Sequence, residues 1–82
     1  MKNRSNKHAS VTYKTYADTF IHEEVGEYVG YGIIALDENG VELDRVPDVA
    51  LDEAFVEDLA KSMTDNGVSL LHLWEVVEDA IS

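Results

Sequence analysis

His72, Glu75 and Asp79 stand at i, i+3 and i+7 inside the stretch HLWEVVED. On a helix this spacing stacks one imidazole and two carboxylates along a single strip. Those groups are ordinary ligands of divalent metals. A closed site needs further ligands from another element, and His22 with Glu24 would supply them only if their segment ended beside this helix. The plain alternative is a solvated helix face. No metal and no cofactor is expected, because ligands from one exposed helix leave most of the coordination shell to water.

Catalysis has little to work with. General acid–base chemistry needs two titrating groups in a cleft, whereas the carboxylates here fall at turns and on helix exteriors. The chain has no cysteine, which excludes disulfides, thiolate metal sites and thiol catalysis. It has no Gly-x-Ser-x-Gly elbow. Gly30 and Gly32 in YVGYGI have the look of a glycine-rich loop. No Lys-Ser/Thr follows them, and no helix, so a phosphate cradle is not indicated. Glycine within a strand marks a bulge or a close approach, here room for a helix side chain such as Trp74 or Phe55. The chain is expected not to be an enzyme.

Charge narrows the partners. The 82 residues carry 17 acidic and 6 basic side chains, a formal net charge of −11. Lys2, Arg4, Lys7 and Lys14 lie in the first fourteen residues, which contain no acid. Every acidic residue lies after them, opposed only by Arg45 and Lys61. Such a body repels nucleic-acid phosphates, so no nucleic-acid partner is expected. No apolar run approaches the roughly 20 residues that cross a bilayer, and no signal-type apolar stretch follows the basic start. The expectation is a cytoplasmic protein with no membrane partner. Residues 1–10 read as a flexible basic tail, and residues 11–82 as one small domain.

The elements that must position these groups follow from the pattern. Residues 11–22 are rich in Val, Thr, Tyr, Phe and Ile, which favour strands. Gly26 breaks the run, and EYVGYGIIAL forms a second strand. The Asn-Gly of DENG is a strong hairpin signal. VELDRV is a third strand, ended by Pro47, which cannot donate to a ladder. Asp52 then caps a helix whose apolar stripe is Phe55, Val56, Leu59, Ala60 and Met63. Asn66-Gly67 stops it. Ser69 caps a second helix with Leu70, Leu73, Trp74, Val77, Ala80 and Ile81 on one face. The fold class is α+β: a three-stranded antiparallel meander followed by a two-helix hairpin packed on one sheet face.

A register argument assigns the faces. An even loop at DENG places Ile34 and Leu36 with Val41 and Leu43, toward the helices. Val29, Tyr31, Ile33 and Ala35 then point away, joined by Phe20, His22 and Tyr16 if the first turn is also even. Odd-length turns would flip the assignment. In the even register Val29, Tyr31 and Ile33 form an uncovered apolar face suited to a homodimer or another protein partner.

Glu78 and Asp79 close the second helix, where the exposed carbonyls favour cations. Their charge opposes the helix by roughly a few tenths of a kcal/mol each. Either they accept local hydrogen bonds, from the His72 ring for example, or they meet a partner that brings cations.

YGI in the central strand, DENG, VPD before a helix of the D-x-x-x-V-E-x-L type, and S-x-x-H-L-x-x-V-V-E-D together resemble a family of small Firmicutes proteins known only as a domain of unknown function. The likeness covers most of residues 28–81 and is sharpest at Ser69, His72, Leu73, Val76, Val77, Glu78 and Asp79. It implies a bacterial, cytoplasmic, stand-alone domain and assigns no activity. The expected role is a small acidic protein–protein interaction module using Val29, Tyr31, Ile33, His72, Glu75, Glu78 and Asp79. The alternative is an acidic inhibitor that mimics nucleic-acid charge. A third is a metal-dependent sensor or enzyme.

Overall fold

The computed structural model describes residues 10–82. Three antiparallel strands, β1 (Thr12–His22), β2 (Gly26–Leu36) and β3 (Glu42–Ala50), form one sheet in the order β1-β2-β3. Helix α1 (Glu53–Asp65) and, after a 3-10 turn at Leu70–His72, helix α2 (Leu73–Ile81) follow. The meander and its helical layer are those the sequence pattern predicts. α1 packs chiefly across β1 and β2, and α2 against β3.

Both hairpin loops are odd: the first sets Tyr13 beside Ala35, a bulge in β3 offsets the second and sets Val46 beside Ile33, and the face that meets the helices is the opposite of the one expected. β1 and β2 pair from Thr12↔Leu36 to His22↔Gly26, leaving a three-residue loop, Glu23–Val25. Gly26 takes a positive φ of 81° there, as a three-residue hairpin requires. The second loop spans residues 37–41 between Leu36 and Glu42. The Asp37 carboxylate accepts the N–H groups of Asn39 (2.8 Å) and Val41 (2.9 Å), closing an Asx turn. A bulge follows at Leu43, so Asp44 faces Ala35, Arg45 faces Ile34 and Val46 faces Ile33.

Ile33 and Ala35 therefore enter the core instead of the open face. They are fully buried with Tyr13, Val46 and Val49 from the sheet, Val56, Ala60 and Met63 from α1, and Leu73 and Val77 from α2. Val41 and Leu43, expected in the core, are 57% and 40% exposed. Pro47 does not end β3. The strand runs on to Ala50 through a second irregularity, where β3 uses four steps against two on β2 and Asp48 adopts a φ of 52°. β3 is an edge strand, where proline is tolerated.

The outer face is closed by its own aromatic side chains. Tyr16 lies opposite Gly32, and Phe20 beside Gly30. A Cβ at Gly32 would overlap the Val46 carbonyl oxygen and come within 2.8 Å of the Tyr16 ring. The glycines thus make room for cross-strand rings on the far face, not for Trp74 or Phe55. Phe20 stacks on Tyr28 with centroids 5.4 Å apart, and the Arg45 guanidinium sits 4.6 Å over the Tyr16 ring.

Helix ends follow local chemistry. The Asp52 carboxylate accepts the N–H groups of Ala54 (3.0 Å) and Phe55 (3.4 Å). At the other end of α1, Gly67 has a φ of 64°. Its N–H bonds the Thr64 carbonyl, and the Val68 N–H bonds that of Met63, the Schellman arrangement. Ser69 makes no side-chain cap; its carbonyl accepts the His72 N–H instead. Tyr13 ties β1 to this corner. Its phenol donates to the Val68 carbonyl at 2.7 Å, and its backbone N–H donates to Thr64 Oγ1 at 2.9 Å.

Candidate interaction surface

α2 is nine residues long, so it can bury only a narrow stripe. Leu73 and Val77 are at its centre, with Val76 partly covered. At 100° per residue, Trp74, Glu78 and Ile81 fall together on one flank, at i, i+4 and i+7. Trp74 is 48% exposed and Ile81 51%. The sequence pattern assigns both to the core, but the stripe they extend is wider than β3 can cover. The Trp74 ring is held in place, because its Nε1–H donates to Asp44 Oδ2 at 3.1 Å. The bulge at Leu43 is what turns Asp44 toward the helices, so this contact depends on an irregularity that periodicity does not reveal.

Glu75 and Asp79 occupy the next sector of the helix. His72 Nδ1 lies 3.1 Å from Glu75 Oε1, so the ring pairs with Glu75 and not with Asp79. Both groups are largely exposed, which makes the pair weak. Glu78 and Asp79 are exposed, and their carboxylates accept no hydrogen bond among the described residues. The backbone carbonyls of Glu78 and Asp79 accept from the Ser82 hydroxyl at 2.7 and 3.2 Å, which closes the helix end.

The remaining sequence candidates part company. Ile33 is in the core and cannot belong to a surface. Tyr31 is half-buried against that core. Val29 is 47% exposed, but on the helix side of the sheet, in the part of the β1–β2 hairpin beyond the helices. His22 is occupied locally, its Nδ1 accepting the Glu24 N–H at 3.1 Å. Among the described residues no group of three or more His, Cys, Asp or Glu is placed to hold a metal.

Among the described residues, Lys and Arg side chains do not neutralise the α2 surface. Arg45 forms a forked pair with Glu42, both bonds 2.7 Å, which holds the Glu42 carboxyl below its usual range. Lys61 pairs with Asp65 at 2.8 Å on α1. Lys14 is on β1, at the opposite edge of the sheet from β3. What α2 presents is an apolar flank made by Trp74 and Ile81, bordered by Glu75, Glu78 and Asp79.

The chain belongs to a family described as a family of unknown function (DUF6514), whose model matches residues 1–82. The match is wider than the sequence resemblance over residues 28–81 and takes in the N-terminal segment. No curated protein and no solved structure matches the chain.

Proposed function

We propose that the protein is a small acidic, non-enzymatic interaction module that docks a basic protein partner on α2. The observation that carries this reading is the state of Glu78 and Asp79. Both carboxylates sit in the last turn, against the helix dipole, and neither is held by a hydrogen bond among the described residues. Beside them, Trp74 and Ile81 are half-exposed. An apolar centre with a charged rim is the anatomy of a protein interface, and a tryptophan locked by one hydrogen bond loses little further entropy on binding.

A nucleic-acid mimic would instead need carboxylates in unbroken rows, and Trp74 and Ile81 interrupt the row on α2. The family resemblance supports a bacterial cytoplasmic setting.

The test is quantitative affinity capture with the wild type and the Glu78→Gln/Asp79→Asn variant, at low and moderate salt. The expected result is a partner that the variant fails to retain and that salt releases, since exposed charge pairs are screened within about 8–10 Å. An identical set of retained proteins for both baits would overturn the reading.

A further inference from the structure

The two edges of the sheet differ. β3 is blunted by two bulges, by Pro47 and by the Glu42–Arg45 pair, the ordinary devices against edge-to-edge pairing. β1 has eleven residues in unbroken register with β2, and it contains no proline and no bulge. The Tyr13 N–H and carbonyl point away from β2, since both meet Thr64 Oγ1 on α1. By the alternation of an antiparallel ladder, Thr15, Ala17, Thr19 and Ile21 also direct their backbone groups outward. Among the described residues no main-chain group pairs with these four. Thr19 N–H alone is engaged, by the adjacent Asp18 carboxylate at 2.9 Å.

The same half of β1 overhangs the helices. The strand spans about 36 Å at about 3.3 Å per residue, and α1 about 20 Å at 1.5 Å per residue. Of β1, only Tyr13 near its start is buried. On the helix side of the overhang Ile21 is 85% exposed and Val29 47%. Beside Tyr13, a groove between β1 and α1 has Tyr13, Ala60 and Thr64 in its lining together with the charged Lys14, Glu57, Lys61 and Asp65.

We infer that this edge pairs with the β1 edge of a second copy, antiparallel about a two-fold axis at Ala17, giving a six-stranded sheet. In this register Ala17 faces Ala17 of the other copy, and Thr15 faces Thr19 in both directions. All three are outward-facing positions, so three hydrogen-bonded pairs form. Thr64 engages the Tyr13 main chain, so the ladder stops at the Thr15–Thr19 pairs and Ile21 of each copy runs on past them toward α1 of the other. The overhang of one copy thereby lies beside the helical body of the other. On the outer face Lys14 is diagonal to Asp18 of the other copy, within reach of a long side chain. Moving the axis to Asp18 would set two carboxylates face to face, which is destabilising. Moving it to Tyr16 sets Thr19 opposite Tyr13, whose main-chain groups Thr64 already engages, and leaves only the two Thr15–Ala17 pairs.

The experiment is sedimentation or light scattering of the full chain, combined with single-cysteine cross-linking. At roughly 100 µM, a complex with Kd near 1 µM is almost fully formed, so the wild type is expected at twice the 9.1 kDa chain mass. Ala17→Pro removes an N–H that the β1–β2 ladder does not use, and it is expected to give the monomer mass with the wild-type circular dichroism spectrum. The chain lacks cysteine, so single cysteines report the register without interference. Under mild oxidation Ala17→Cys is expected to cross-link, because facing hydrogen-bonded Cα atoms lie about 5.5 Å apart, within disulfide range. Tyr16→Cys and Asp18→Cys are expected not to. A monomeric wild type at this concentration, or cross-linking through position 16 or 18 in place of 17, would overturn the inference. The cysteine scan decides the matter even if Ala17→Pro fails to fold.

Discussion

Tyr13 offers the sharpest test of how the sheet is joined to the helices. Its phenol and its backbone N–H make two separate bonds to the same corner, to the Val68 carbonyl and to Thr64 Oγ1. Tyr13→Phe leaves the Val68 carbonyl without its donor, in a part-buried place that packing keeps partly dry. Thr64→Val keeps the shape and leaves the Tyr13 N–H without its acceptor. A buried polar group stripped of its partner costs about 1–3 kcal/mol; partial access of water puts each change near the lower half, about 1–2 kcal/mol. An 82-residue domain has about 4–12 kcal/mol in total, so either variant removes a visible share. At about 4–8 °C per kcal/mol for a domain this size, each is expected to lower the melting midpoint by about 5–15 °C. The assay is urea unfolding followed by circular dichroism, with the slope checked for constancy. The double variant is expected to lose less than the sum, because both bonds place the same residue. A single variant within about 0.3 kcal/mol of wild type would show that this corner does not hold β1 to α1.

Three further outcomes follow from the geometry. Gly32→Ala pushes a methyl group into the Val46 carbonyl and the Tyr16 ring, and a loss of about 1–3 kcal/mol is expected; calorimetric melting at the wild-type midpoint would contradict the close approach. Glu78→Gln/Asp79→Asn is expected to hold or raise stability by a few tenths of a kcal/mol, and a lower urea midpoint at unchanged slope would show that these carboxylates support the fold. Burial pushes the Tyr13 phenol above its ordinary value of 10.0; the folded state therefore keeps this proton longer than the unfolded state, and the resulting stability is present below pH 10 and declines as pH rises beyond it. Tyr13→Phe is expected to flatten that alkaline decline, as read from melting midpoints between pH 9 and pH 11 (approximate bounds set by the ordinary phenol value).

The elements were legible because their signals are local. Asn39-Gly40 set the second hairpin, Asp52 capped α1 through its own carboxylate, and Asn66-Gly67 ended it with a left-handed glycine. The faces were not legible, because a strand changes face with every residue and parity depends on loop length. One residue in the Glu23–Val25 loop, and one bulge at Leu43, moved Ile33 and Ala35 from an open face to the core. The glycines misled for a related reason: their partners, Tyr16 and Phe20, come from the neighbouring strand, and the sequence does not show which ring lies opposite which glycine until the register is known. On α2, His72 and Glu75 meet at the spacing that suggested an interaction. Periodicity assigns Trp74 and Ile81 to the core because it gives the width of an apolar stripe and not the width of the surface that receives it.

The two proposed surfaces are on opposite sides of the molecule, and this has a consequence for binding. The strand order β1-β2-β3 puts β1 at one edge, while α2 packs on β3 at the other. Pairing through β1 therefore leaves both copies of α2 uncovered, at the far ends of a six-stranded sheet. A nine-residue helix with one tryptophan and one isoleucine offers a small contact, and small contacts bind weakly. Two of them on one rigid sheet make the second binding event intramolecular when the partner is itself repeated or immobilised, which raises apparent affinity by about 10²–10⁴ without a new contact. Ala17→Pro should then weaken retention on a densely immobilised partner while leaving the affinity for a monovalent partner in solution unchanged. Equal losses in both formats would mean that the substitution acts on α2 itself, and the division of labour between the two edges of the sheet would fail.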